Sequence, residues 1–153
     1  MRGSRRNLKA WQPLTNWWSF NKKGISIKDL GRAWPKLILE VTAQRIIDGT
    51  DVQFAIKEHI DEWNRSFDGS LYADEPPLTG MPYVDAWLAG AAEYEAFMID
   101  QAIPVWADAP CRFLSEPFYV GGRNSQIVGL AETPFAFRRR LLFTGKTFIT
   151  GKQ

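Results

Sequence analysis

The feature that most constrains this fold is a regular apolar stripe along residues 52–67. Its members recur at three- and four-residue spacing, as one face of a helix requires: Val52, Ile56, Ile60, Trp63 and Phe67. Lys57, Asp61 and Arg65 fall on the opposite face, and Thr50 or Asp51 is suited to cap the start. Because such a stripe is stable only when it packs against other apolar groups, the sequence predicts a helical protein with a core.

Two further segments predict helices on either side of this one. Residues 36–48 are apolar around so much of their circumference that the helix should be nearly central, and Gly49 is suited to end it. Pro82 can occupy the first turn of a long helix reaching about Ala102. Its predicted inward residues are Val84, Trp87, Leu88, Ala91, Met98 and Ala102, with Asp85, Glu93 and Asp100 on the opposite face.

Beyond Pro104 the predicted elements become short. Residues 118–120 favour an extended strand, Ser125 and Thr133-Pro134 favour two helix starts, and residues 141–150 favour a hairpin or a loop. The predicted fold class is therefore mainly α: a compact multi-helix bundle with a short irregular or hairpin C-terminal segment. The 153 residues fit one domain. We expect a flexible basic arm at 1–10 and a single helical domain at 11–153, with the turn-rich segment 68–81 as its best internal boundary.

Charge is distributed along the chain in three zones, which the net value of +2 conceals. Residues 1–45 hold ten Lys or Arg against two acidic residues, and residues 118–153 hold six against one. Residues 46–117 hold three basic residues against fourteen acidic ones. One interpretation is that folding brings opposite zones together, so that they largely cancel. The alternative is a basic patch for nucleic acid beside an acidic patch for a partner protein.

The residue inventory favours no catalytic or metal chemistry. One cysteine, Cys111, and one histidine, His59, cannot supply the usual zinc ligand sets, and no Walker or nucleophile-elbow motif is present. His59 lies at the margin of the apolar stripe and is predicted to be a partly covered structural histidine. We expect no enzyme activity and no cofactor. No apolar run reaches about 18 residues, so we expect a cytoplasmic protein with no membrane partner.

Aromatic and basic residues supply the candidate binding sites, because strong protein contacts favour Trp, Tyr and Arg. The candidate partner-binding residues are Trp17, Trp18, Arg112, Arg138, Arg139 and Arg140. The candidate nucleic-acid-binding residues, which could contact phosphates, are Arg5, Arg6, Lys22, Lys23, Lys28, Arg32 and Lys36. The competing interpretation is structural: Trp17 and Trp18 cover the edge of the core, and one of the three consecutive arginines bonds helix carbonyls or Asp108 while the others are solvated.

Three blocks in the second half carry a resemblance to a known group. They are TGMPYVDAWLAGAAEY at 79–94, PVWADAPCRFLSEPFY at 104–119 and AETPFAFRRRLLF at 131–143. The pattern resembles small bacterial helical proteins with D-x-L-L-A-G, P-x-W-x-x-D-P-x-R-F-L and P-x-A-F-R-R-R segments, although Ala109 stands where that group tends to have Asp. The resemblance covers under half the chain and implies an antitoxin-like accessory protein encoded beside a nucleotidyltransferase-like one.

Two functions follow as hypotheses. The first is a non-enzymatic protein-protein interaction module, the antitoxin or accessory partner in a bacterial two-gene system of toxin-antitoxin type. The alternative is a DNA-binding transcriptional regulator that uses the basic N-terminal region. The first requires a protein partner and the second requires nucleic acid, while a homo-oligomer is compatible with both.

Overall fold

The computed structural model describes residues 36–150. The chain divides into two units, Met1–Lys36 and Leu37–Gln153, and the described residues belong to the second apart from Lys36. The predicted arm at 1–10 therefore lies outside the described residues. The turn-rich segment 68–81 lies inside the second unit, between two of its helices.

Helices make up most of the described chain, so the predicted mainly α fold class is confirmed. The α-helices are α1 (Leu39–Ile47), α2 (Val52–Ser66), α3 (Pro82–Met98), α4 (Gln126–Glu132), α5 (Phe135–Arg138) and α6 (Lys146–Thr150). Short 3-10 turns occupy Gly69–Leu71, Val105–Asp108, Pro110–Arg112 and Arg123–Ser125. Residues 36–150 also contain two strands, β1 (Phe118–Tyr119) and β2 (Leu142–Phe143). No helix among the described residues is long and apolar enough to cross a membrane.

The ends of α1 and α2 follow from local backbone chemistry. Gly49, just beyond α1, has a φ of 100°, which glycine adopts without the cost that a Cβ would impose. The side chain of Asp51 accepts a 2.9 Å hydrogen bond from the backbone N–H of Phe54 and so caps α2. Helix α2 ends at Ser66, because the next residue, Phe67, has a φ of 47°. Phe67 is half exposed, so the buried apolar stripe stops one turn earlier than its spacing predicts.

The most buried helix is α3, whereas the 36–48 helix, which was predicted to be nearly central, is less buried. From Val84 to Ala96 every residue of α3 except Tyr94 is buried, whereas α1 leaves Glu40, Gln44 and Ile47 exposed. The burial of Asp85 and Glu93 was not predicted, since apolar periodicity placed them on the solvent side. Helix α3 also ends at Met98 and not near Ala102, which leaves both Met98 and Ala102 exposed.

Gly90 explains how α5 approaches α3 so closely. A Cβ built on Gly90 would lie 2.6 Å from Cδ1 of Phe137, a distance at which the aromatic ring would have to move. The absence of a side chain thus allows the Phe137 ring to pack directly on the α3 backbone. This contact offsets the cost of about 1 kcal/mol that glycine imposes in a helix interior.

The C-terminal segment forms a short strand and a short helix. Strand β2 pairs in parallel with β1, with Phe118 opposite Leu142 and Tyr119 opposite Phe143. A hairpin would make an antiparallel pair, so the hairpin alternative at 141–150 is not the one observed. Helices α4 and α5 make the crossover between the strands, and Leu141, with a φ of 58°, turns the chain from α5 into β2.

Candidate partner-binding surface

The three consecutive arginines of the third block lie in three different environments. Arg138 is exposed and donates to the carbonyl oxygens of Leu130 and Thr133, at 3.0 and 3.1 Å, around the end of α4. Arg139 is partly exposed and pairs with Glu93, at 2.7 Å, and with Asp108. The structural interpretation expected one arginine to bond helix carbonyls or Asp108 and the others to be solvated. Instead Arg138 bonds helix carbonyls and Arg139 pairs with Asp108.

Arg140 is fully buried, which overturns any role for it as an exposed contact in this fold. Its guanidinium donates to Glu93, to the carbonyl of Ala136 and, at 2.8 Å, to the carbonyl of Ala107. Burial lowers the pKa of Arg140 although Glu93 opposes that change. The group nonetheless keeps its charge, because an arginine guanidinium does not deprotonate in proteins. Arg140 therefore joins three elements of the core by a buried, paired charge.

Arg112 is likewise buried, with 1% of its surface exposed, and this corrects its assignment as a partner contact. It donates to the carbonyl of Pro76 and, at 3.4 Å, to Glu75, while Asp85 of α3 lies 3.9 Å away. Its guanidinium sits 5.3 Å from the ring centroid of Trp106. Arg112 therefore fixes the segment around residues 75–76 against the middle of the core.

The remaining predicted contacts lie at or beyond the limit of the described chain. Trp17, Trp18 and the basic residues Arg5, Arg6, Lys22, Lys23, Lys28 and Arg32 lie outside the described residues, so their roles stay predictions. Lys36 is exposed at the first described position. The structure therefore brings none of the candidate nucleic-acid residues together within the part that it describes.

The charge zones partly neutralise one another inside the fold. Glu93 and Asp108 from the acidic middle zone pair with Arg139 and Arg140 from the basic C-terminal zone. These pairs agree with the interpretation in which opposite zones meet on folding.

His59 is completely buried, which is more burial than the partly covered position that its sequence context predicts. Its Nδ1 lies 2.7 Å from the carbonyl oxygen of Leu37 and therefore carries a proton, and its Nε2 lies 2.8 Å from Oε1 of Glu95. Burial alone would lower the pKa of His59. The facing carboxylate of Glu95 and the Leu37 carbonyl outweigh burial and raise that pKa above its ordinary value of 6.5.

Residues 36–150 contain no assembled metal site. Within this range, no group of three or more His, Cys, Asp or Glu side chains is placed to hold a metal ion. Cys111 is exposed, whereas His59 is buried, so the sole imidazole is not available to the thiol as a base.

Large apolar side chains on the surface are the feature that sequence reasoning missed. They concentrate in two stretches that we call the 97–105 segment and the 127–135 segment. The most exposed residues are Phe97 at 79%, Val105 at 92%, Ile127 at 83% and Phe135 at 72%. The first segment could have been found only by placing the end of α3 at Met98. The second lies largely on α4, where Ile127, Val128 and Leu130 are all exposed.

Comparison with known proteins returned no match to any family model, curated protein or solved structure.

Proposed function

We propose that this protein acts by binding another protein and performs no catalysis of its own. The observation that carries the proposal is the exposure of bulky apolar side chains in the 97–105 and 127–135 segments. Scattered apolar residues are common on protein surfaces, but large exposed apolar groups that concentrate together mark interaction surfaces. Phe97 and Phe135 are aromatic, and aromatic anchors are enriched where binding energy concentrates.

The buried carboxylates of α3 support the same proposal. Glu93, Glu95 and Asp85 are buried, and the cationic groups that face them lie within the same chain. These carboxylates are therefore engaged in holding helices together. An acid-base role would require at least one of them to reach a substrate.

The biological setting that we propose is that of an antitoxin or accessory partner in a bacterial two-gene system. This part of the proposal rests on the three sequence blocks, and the partner would be the protein encoded beside this one. Within the fold those blocks contribute most of α3, the 3-10 turns around Trp106 and Arg112, and the three arginines at the end of α5 and just after it. They thus build the scaffold that displays Phe97, Val105 and Phe135.

Affinity purification with the full chain as bait tests the binding surface. We expect a stoichiometric protein partner with the unaltered chain, and recovery at least tenfold lower with the double variant Phe97→Ser, Val105→Ser. Both positions are so exposed that the substitutions should leave stability nearly unchanged. The matched control is Ile47→Ser, Phe54→Ser, which removes two exposed apolar side chains from α1 and α2. Equal recovery with both double variants would place the contact elsewhere, and no partner at all would contradict the proposal.

DNA binding through the basic N-terminal region is the second candidate function, favoured by the ten Lys or Arg within residues 1–45. Such binding would weaken steeply with salt, because each phosphate contact releases counterions. A gel-shift titration against duplex DNA at low and at physiological salt tests it. Binding that falls with salt and is lost in Lys22→Gln, Lys23→Gln would support this function, whereas no shift at low salt removes it.

A further inference from the structure

The His59 imidazole joins the chain before α1 to α3 through two hydrogen bonds. Its Nδ1 lies 2.7 Å from the carbonyl oxygen of Leu37, and its Nε2 lies 2.8 Å from Oε1 of Glu95. His59 belongs to α2, so the ring links three parts of the fold. His59 has no exposed surface and Glu95 has 3%, so the ring depends on these two partners for its hydrogen bonds.

Both atoms that face the ring are hydrogen-bond acceptors. A backbone carbonyl oxygen and an ionised carboxylate cannot donate. An imidazole donates from both nitrogens only when it is charged, because the neutral ring has one N–H and one bare nitrogen. Both contacts are therefore satisfied only while His59 and Glu95 hold two protons between them.

After one proton is lost, burial decides which contact is kept. Oε2 of Glu95 is buried without a hydrogen-bond partner among the described residues, so this carboxylate depends on the His59 N–H. Leu37 is only partly buried and precedes Ile38, the N-cap of α1, so its carbonyl lies outside the helix and can turn toward water. A buried charge without a donor costs more than a carbonyl that water can reach. The remaining proton should therefore stay on Nε2.

The direction of the pH dependence follows from the groups that face the ring. Burial lowers the pKa of His59. Three groups outweigh burial and raise that pKa above 6.5: Glu95, the Leu37 carbonyl and Glu62 of α2. The state with two protons is therefore the stable one at low pH, and it is lost as pH rises through the folded pKa.

The other described groups beside the pair are paired or uncharged. Glu58, the neighbour of His59 in α2, forms a 2.5 Å ion pair with Arg45 of α1. The Trp87 ring of α3 meets the imidazole edge-on, with centroids 6.2 Å apart, and carries no charge. Burial and nearby carboxylates raise the pKa of Tyr72 above its ordinary value of 10, so this phenol stays neutral. A rise from about pH 5.5 to about pH 9.5 should therefore remove the shared proton from this cluster.

We propose that the buried pair of His59 and Glu95 is a pH-dependent switch for the start of α1. With two protons, the ring bonds both Leu37 and Glu95. With one proton, it keeps Glu95 and releases the Leu37 carbonyl. Helices α2 and α3 stay joined, so the change is confined to the chain that enters α1. The switch is independent of the exposed apolar segments and so of the proposed protein-binding function.

Nitrogen NMR of the full ¹⁵N-labelled chain tests the switch, because His59 is the sole histidine and its ring signals are unambiguous. Between about pH 5.5 and about pH 9.5 we expect Nδ1 to lose its proton while Nε2 keeps one. The ¹³C signal of the Leu37 carbonyl should shift with the same midpoint. The amide of Thr42, which donates to the Ile38 carbonyl in the first turn of α1, should lose about tenfold of its protection from hydrogen exchange.

Glu95→Gln is the matched variant, and it should give the opposite result. A glutamine amide can donate to Nε2, so the neutral ring keeps its proton on Nδ1 and its bond to Leu37. The Leu37 carbonyl signal should then stay unchanged up to about pH 9.5. If Glu95→Gln does not fold, the ring nitrogens of the unaltered chain still decide. A neutral ring protonated at Nδ1, or a ring that keeps both protons at about pH 9.5, overturns the proposal.

Discussion

Glu93 and Glu95 are two residues apart on α3 and both are buried, but they pair with different kinds of basic group. Glu93 faces the guanidinium groups of Arg139 and Arg140, whose charge does not change with pH. Glu95 faces the imidazole of His59, whose charge does. The comparison teaches that one helix can hold two carboxylates in its buried part by different means, one permanent and one dependent on a shared proton.

The geometry of the helix produces this separation. Residues two apart on an α-helix point roughly 200° apart, so Glu93 and Glu95 reach different neighbours. Glu93 reaches the chain that follows α5, and Glu95 reaches α2 and, through His59, the carbonyl of Leu37 before α1. The two sites can therefore be perturbed one at a time.

The largest expected loss of stability comes from breaking the Glu93–Arg140 pair. Glu93→Gln would leave Arg140 as a buried charge without its carboxylate, a change that typically costs about 3–5 kcal/mol. Urea unfolding monitored by circular dichroism would measure the loss. Because arginine does not titrate, the cost should be the same at about pH 5.5 and about pH 9. A loss below about 1 kcal/mol would show that the buried Arg140 charge does not need the Glu93 carboxylate.

The approach of α5 to α3 should be nearly as sensitive. Gly90→Ala would place a Cβ 2.6 Å from the Phe137 ring, and we expect a loss of about 1–3 kcal/mol despite the better helix propensity of alanine. The disturbance should be confined to the contact between α3 and α5 and should not reach the His59–Glu95 pair. The His59 imidazole signals in an NMR titration should therefore keep the behaviour of the unaltered chain, and restored stability in Gly90→Ala, Phe137→Leu would identify the ring as the obstacle. Gly90→Ala that stabilises the protein would contradict this packing.

Breaking the His59–Glu95 pair should cost less stability than breaking the Glu93–Arg140 pair, and this cost should depend on pH. The folded pKa of His59 is raised, so the stability from the pair is fully present below its unfolded value of 6.5 and is lost as pH rises through the folded pKa. Glu95→Gln should therefore cost about 1–3 kcal/mol near pH 5.5 and clearly less near pH 9. Glu93→Gln is the control, because its cost in unfolding free energy should not change with pH. If the costs of the two variants changed with pH in the same way, the two sites would not differ as described.

The smallest effect is expected on the surface of α2. Lys57 and Asp61 form a 2.8 Å pair four residues apart, with both side chains at least half exposed. Lys57→Gln should cost about 0.3–0.5 kcal/mol, and added salt should reduce that cost. Thermal unfolding at low and high salt would measure it, and a loss comparable to that of Glu93→Gln would mean that burial is not what distinguishes these pairs.

The sequence predicted where helices begin and end better than it predicted which of their residues are buried. Asp51 as a cap, Gly49 as a stop and Pro82 as a first-turn residue act through neighbours within four positions, and all three occupy the predicted roles. The same local chemistry does not indicate whether a polar residue such as Glu93 will be buried. That depends on partners 46 and 47 positions away along the chain.

The candidate site was predictable only in its residue types. Arginines and tryptophans were singled out as candidate contacts, but Arg112 and Arg140 are buried, and the exposed Phe97 and Phe135 were not among the candidates. Periodicity assigns a residue to a face of its helix, and only packing decides whether that face is covered. The long helix illustrates this, because neighbours enclose its polar face as well as its apolar one.

The sequence by itself determined that three helices follow one another between residues 36 and about 102, that the described chain is mainly helical, and that the whole chain has one histidine and one cysteine. The tertiary structure alone decided that α3 is the most buried helix and that β1 and β2 pair in parallel. It also decided which carboxylates meet arginine and which meets histidine. The physical reason is range: caps and helical periodicity act over a few residues, whereas burial and charge pairing depend on groups that only the folded chain brings together.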